Sequence, residues 1–257
     1  MSVSAIDERV QAPLVRAALY ETLAMGFAYP SRDTLERLRQ VAELATAEMT
    51  RSAPALARLL EDVLRAVAGV DEAELAGEHS RLFSGQVVAT PYETEYETDP
   101  FAKARQMADI SGFYEAWGVE LSEERRTMAD FIGTQTEFMA LLCRKEAYAL
   151  QNGWEDKVSL SIEAESAFLG SHLGRWFEIF SSTVEAGAHR VNGALFVALA
   201  RLLRGFVAVE LTAFGLDPRR LTRRMVSDGK LPECDPHVVG ELPEEPDDVE
   251  PPLEPAD

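Results

Sequence analysis

Apolar side chains recur at helical spacing through almost all of residues 11–214, and no stretch alternates as a strand would. Residues 11–29 repeat Leu14, Ala17, Ala18, Leu19, Leu23 and Phe27 at helical spacing. Tyr29-Pro30 ends that run, because proline pushes the residue before it out of the α region. Ser31 is a suitable N-cap for a second helix carrying Leu35, Leu38, Val41 and Leu44. A third follows Ser52-Ala53-Pro54, since proline is tolerated in a first turn, and it stops at Gly69. Asp71 caps a fourth that reaches Phe83. Asp99-Pro100 opens another, with Gly118 at its C′ position. The pattern then predicts helices from Leu121 to about Leu150, over 155–181 and over 187–214, with a short one from Pro218. Joined by short connections, these predict an all-α fold: a single compact helical bundle over residues 1–230, interrupted by one long acidic loop at 84–98.

Composition bounds the function. The 257 residues carry a formal charge of −19, which disfavours nucleic acid and anionic membrane surfaces. Ten of the acids and seven of the thirteen prolines fall in residues 231–257, without a lysine or arginine, so residues 1–230 carry −9. A segment of that composition buries too little apolar surface to offset its ordering entropy, and we expect a disordered acidic, proline-rich tail. Two distant cysteines, Cys143 and Cys234, make no disulfide scaffold and fit a reducing cytoplasm. Neither a basic-then-apolar leader nor a long apolar run is evident, so a cytoplasmic location without a membrane span is expected.

The densest chemistry lies in His79–Tyr96, HSRLFSGQVVATPYETEY. Tyr92, Glu93, Glu95 and Tyr96 alternate rings with carboxylates behind Pro91, and no Lys, Arg or His occurs from Ser84 to Pro100. Such a surface suits a ligand both cationic and apolar. Tyr92 and Tyr96 equally suit loop anchors folded back on the bundle. Asp130, Thr134 and Glu137 share a polar strip at i, i+4, i+7, which a solvated face explains, with Arg126 pairing Asp130. The aromatics from Phe168 to Phe180 read as core. The histidines His79, His172, His189 and His237 lack metal-ligand spacing, and no phosphate loop or nucleophile elbow occurs. No cofactor, metal or catalytic group is assigned from these residues.

Arg16-Ala17-Ala18-Leu19-Tyr20-Glu21-Thr22-Leu23-Ala24 with Phe27-Ala28-Tyr29-Pro30 opens a series of motifs over about residues 12–215, followed by His79-Ser80-Arg81-Leu82-Phe83 and the Pro91–Tyr96 stretch. In that order they resemble the TorD/DmsD/NarJ-type family of redox-enzyme maturation chaperones, whose aromatic-x-x-Leu-Phe signature falls on His79 to Phe83. Pro91-Tyr92-Glu93-Thr94-Glu95-Tyr96 matches its Pro-x-Glu-Ser/Thr-x-Tyr loop. Met107–Tyr114, Glu137–Leu142 and Phe168–Trp176 resemble its later helices. Two departures stand out: histidine fills the first aromatic position, and of a Glu-x-x-Asp-His motif aligned on Thr127 to Phe131 only Asp130 remains. The branch it resembles most serves type II molybdoenzymes such as dimethylsulfide and ethylbenzene dehydrogenases and selenate and chlorate reductases.

The resemblance implies a TorD-like, non-enzymatic protein. Such chaperones bind the apo catalytic subunit of a molybdopterin oxidoreductase at its twin-arginine signal peptide or nearby, assist cofactor insertion and hold back export. Guanidiniums pair with carboxylates through forked hydrogen bonds, and the apolar part of a leader wants a groove. The residues expected to contact the client are Glu93, Glu95 and Asp130 for charge, with Leu82, Phe83, Pro91, Tyr92 and Tyr96 for apolar surface. The alternative is a helical metal- or small-ligand-dependent enzyme, which stoichiometric metal in the purified protein would favour.

Overall fold

The structure, a computed structural model, describes residues 8–84, 87–121, 128–189 and 192–221. Its helices are α1 (Glu8–Phe27), α2 (Arg32–Ser52), α3 (Pro54–Ala68), α4 (Glu72–Phe83), α5 (Pro100–Ala116), α6 (Ile132–Gln151), α7 (Glu155–Phe168), α8 (Gly174–Gly187) and α9 (Ala194–Ala213). A 3-10 turn spans Glu93–Tyr96, and a π turn at Leu169–Leu173 joins α7 to α8. Among the described residues the only β contact is an isolated antiparallel bridge between Tyr92 and Phe131. All of these belong to one unit, Met1–Arg224. The second unit, Met225–Asp257, lies outside the described residues, and with it the expected tail, Cys234 and His237. Arg126 and Thr127 also lie outside them.

Local chemistry sets three of the helix starts. Ser31 Oγ accepts from Thr34 N at 3.2 Å, Asp71 Oδ1 from Glu74 N at 2.9 Å and Asp99 Oδ1 from Phe101 N at 3.0 Å. Each satisfies one of the orphan donors of a first turn. Gly118 follows the end of α5 with φ +70°, a conformation that favours glycine. The core centres on Trp176, Tyr20, Tyr114 and the rings of Phe27, Phe168, Phe177, Phe180, Phe196 and Phe206, all buried. α1 packs most extensively on α6, and α8 on α9.

Several boundaries differ from the periodic reading. α6 does not extend back toward Leu121: residues 129–130 form a turn and the helix starts at Ile132. The backbone there bonds elsewhere, with Glu93 N donating to Asp130 O at 3.0 Å and Ile132 N to Pro91 O at 2.9 Å. The 155–181 pattern is α7, the π turn and α8. A Cβ on Gly174 would lie 2.4 Å from Leu169 O, so a side chain there would obstruct the widened turn. α8 runs on through Gly187, and α9 begins only at Ala194. Arg81 Nη2 donates to Gly187 O at 2.5 Å and His189 N to Glu78 Oε1 at 2.7 Å, so α4 fastens the end of α8. Residues 217–221 are not helical; Leu221 N instead donates to Arg175 O at 2.7 Å.

The polar strip also changes meaning. Asp130 and Thr134 are buried, and Glu137 alone of the three is exposed. Conversely Leu44, which periodicity assigns to an apolar face, is exposed, as are Phe101, Met128 and Val209.

Candidate functional site

The loop after α4 is a pinned turn. It leaves Phe83 with Val88 N and Ala89 N both donating to Leu82 O at 3.0 Å. Tyr96 Oη donates to Thr90 O at 2.9 Å, and its ring lies 5.6 Å from that of Trp176. The Tyr92–Phe131 bridge clamps the middle, their rings 5.8 Å apart. Asp130 Oδ2 accepts from Thr94 N at 3.1 Å and from Thr94 Oγ1 at 2.6 Å, capping the 3-10 turn from across the bridge.

Glu93 is the anchor of this turn. Its carboxylate is fully buried and accepts from Gln106 Nε2 of α5 and Gln135 Nε2 of α6. His172 Nδ1, on the π turn, sits 3.3 Å from Glu93 Oε1 and donates to the carboxylate. Gln135 in turn accepts from Trp176 Nε1 at 3.0 Å. One side chain of the loop therefore draws together α5, α6 and the π turn. Buried carboxylates are held by such complete hydrogen bonding.

The residues expected to contact a client divide by burial. Leu82 and Phe83 belong to the core: the Phe83 ring lies 4.9 Å from His79, 5.4 Å from Phe196 and 6.1 Å from Phe180. Pro91 and Tyr96 are buried as well, while Glu93 and Asp130 spend their charge on internal partners. In this conformation those six shape the turn and offer little side-chain surface. The apolar character of the segment and the demand for internal hydrogen bonding drive them inward. Tyr92, half-buried, and Glu95, exposed, remain at the surface, with Glu97 half-buried and Asp99 exposed beside them. Glu95 pairs with Lys103 at 3.3 Å, both in solvent contact. Burial, and then Asp130, push the Tyr92 phenol above its ordinary range. Thr98 N and Asp99 N donate to Glu97 and hold its carboxyl below the usual range, aided by Arg175 and Arg219.

His79 keeps the aromatic role of its position. Its ring packs edge-on against Tyr29 at 5.2 Å and Phe83 at 4.9 Å, and burial lowers its pKa.

A second polar centre escapes sequence reasoning altogether. Arg16 of α1 donates through Nε to Glu210 of α9 at 2.9 Å, through Nη1 to Glu146 of α6 at 3.1 Å, and through Nη2 to Glu165 of α7 at 2.5 Å. Tyr20 Oη donates to Glu210 at 3.2 Å. Burial raises the Glu165 carboxyl to about 7 against the pull of Arg16, and raises Glu146 too. Arg16 lies inside the family-like run at the start of the chain, but nothing local marks its partners, which are 130 to 194 residues away. Among the described residues no group of three or more His, Cys, Asp or Glu is placed to hold a metal ion. No helix among them is long and apolar enough to cross a membrane.

The described residues thus form an all-helical body that presents a braced acidic turn, with buried charges holding that turn and the helices in place. The chain matches the family described as nitrate reductase delta subunit over residues 43–182 and belongs to it, the TorD/NarJ-type redox-enzyme maturation chaperones. It is 27% identical over 176 residues to the selenate reductase assembly chaperone protein of Thauera selenatis, covering 68% of this chain and 79% of that protein. It is 28% identical over 177 residues to the chlorate reductase assembly chaperone protein of Ideonella dechloratans, with the same coverage of 68% and 79%. Among solved structures, it is similar to an Archaeoglobus fulgidus chain described as a redox enzyme maturation protein. That likeness has a TM-score of 0.48 and 19% identity over 75% of this chain and 93% of the other.

Proposed function

We propose that this protein is a cytoplasmic, system-specific chaperone without catalytic activity of its own. Its client is the apo catalytic subunit of a molybdopterin oxidoreductase, bound at the twin-arginine signal peptide or close to it. Binding assists cofactor insertion and delays export until assembly is complete. Family membership and the two assembly chaperones support the client class.

The observation that carries the reading is the braced turn. Three carboxylates of this stretch, Glu95, Glu97 and Asp99, reach solvent together with the half-buried Tyr92, on a backbone held by Glu93 and Asp130. A preorganised turn spares a ligand the ordering entropy that a mobile loop would impose. Guanidinium matches carboxylate in a fork that ammonium cannot reproduce. The test is a calorimetric titration with a twin-arginine leader peptide and with the same peptide carrying two lysines. The reading predicts affinity about tenfold lower for the lysine peptide, the equivalent of one charged hydrogen bond. Equal affinity would remove guanidinium recognition from it.

A further inference from the structure

An open cleft of about 780 Å³ lies between α5 and the π turn, next to the braced turn, and its charge runs against that of the molecule. Arg105, Arg175 and Arg219 line it, in a chain of net charge −19. Among the described residues none of the three forms a carboxylate ion pair: Arg175 makes only 3.4 Å bonds to the carbonyls of Ser171 and Arg219. Glu97 and Asp109 share the rim and keep the cleft from being uniformly basic.

The floor holds unmet hydrogen-bonding capacity. Gln106 and His172 are both more than nine-tenths buried. Their donors, Gln106 Nε2 and His172 Nδ1, are committed to Glu93. That leaves Gln106 Oε1 and His172 Nε2 without a hydrogen-bond partner, and both residues line the cleft. His172 Nε2 does lie 3.2 Å from Asp109 Oδ2, but without hydrogen-bond geometry. Gln106 Oε1 is an acceptor and calls for an O–H or N–H from outside the protein, while His172 Nε2 has only the Asp109 carboxylate near it. Native interiors rarely leave two neighbouring buried atoms unsatisfied unless something else completes them. The π turn that carries His172 is a distortion frequently found at functional sites.

From this juxtaposition we infer that the cleft is a second binding site, for a small hydroxylated anion. The guanidiniums take its phosphate or carboxylate group, and a hydroxyl donates to Gln106 Oε1. The site differs in chemistry from the outer face of the acidic turn, although Glu97 borders both. It does not depend on what the turn binds.

Calorimetric titration of the full chain at low salt decides it, with three probes: ribose 5-phosphate, citrate and inorganic phosphate. One molecule of a hydroxylated probe is expected to bind per chain, more tightly than inorganic phosphate. Ribose 5-phosphate alone would assign a phosphate ester, citrate alone a hydroxycarboxylate, and both a site that reads charge and hydroxyls together. The double substitution Arg105→Ala/Arg219→Ala removes two exposed guanidiniums and should weaken binding about tenfold or more. Gln106→Leu should erase the preference over inorganic phosphate. No heat from either hydroxylated probe, or unchanged affinity in the arginine double variant, would overturn the inference.

Discussion

Glu93 shows how far a residue's position in the sequence is from its role. In the string of the loop it stands among carboxylates and rings and reads as a surface charge. In the fold it is the deepest group of the turn, and its partners lie 13, 42 and 79 residues away. Spacing along the loop carries no information about such partners, so Glu95 was legible as an exposed acid and Glu93 was not. Replacing Glu93 by leucine would strand two amide donors and an imidazole in the interior. We expect a loss of about 2–5 kcal/mol in denaturant unfolding, whereas Glu95→Ala should stay within about 0.5 kcal/mol of the parent. Glu165 gives a pH prediction of definite sign. Its carboxyl is raised in the folded state to about 7 from an ordinary 4.5, so the folded chain holds the extra proton between those values. Its contribution to stability is therefore full below about pH 4.5 and lost as pH rises through about 7. Glu165→Gln should flatten thermal stability across that window and raise it at pH 8. Arg16→Leu should do the reverse, leaving three carboxylates without their cation at a cost of about 3–5 kcal/mol.

At the scale of elements, the sequence reveals what is decided locally. Ser31, Asp71 and Asp99 cap helices because the bond spans only two or three residues, and Pro54 and Gly118 act through their own backbones. Boundaries set between elements are hidden. The start of α6 is fixed by pairing with the loop nearly forty residues earlier, and the end of α8 by Arg81 and Glu78 of α4. Gly133 marks the first of these junctions. A Cβ there would lie 2.5 Å from Phe131 Cε1, forcing that ring to shift, and 3.3 Å from Ala24 O, a tight contact with α1. Gly133→Ala should cost about 1–3 kcal/mol through overpacking, measured by urea unfolding. Because Phe131 is the partner of Tyr92, the same change should also raise hydrogen exchange at Glu93 N and Ile132 N. Unchanged exchange at those amides would separate the helix junction from the bracing of the turn.

For the whole molecule, periodicity and charge together specified an all-helical, acidic body, and motif order specified the family. Neither could show that the two sides of the 87–99 loop have different tasks, the inner side holding the helices and the outer side facing solvent. The excess of negative charge should speed and tighten the approach of a cationic peptide, and salt should weaken it, because exposed charges are screened over roughly 8 Å at physiological ionic strength. Binding of a twin-arginine leader should therefore fall steadily between low and high salt while thermal unfolding changes little. The central claim is that this outer side grips the client, and one measurement reaches it most directly: calorimetric titration of a twin-arginine leader peptide into the parent and into Tyr92→Ala/Glu95→Ala. The account predicts affinity about tenfold or more lower in the variant, with an unchanged melting temperature. Equal affinity in a variant that melts like the parent would contradict it and move the client to another face of the bundle.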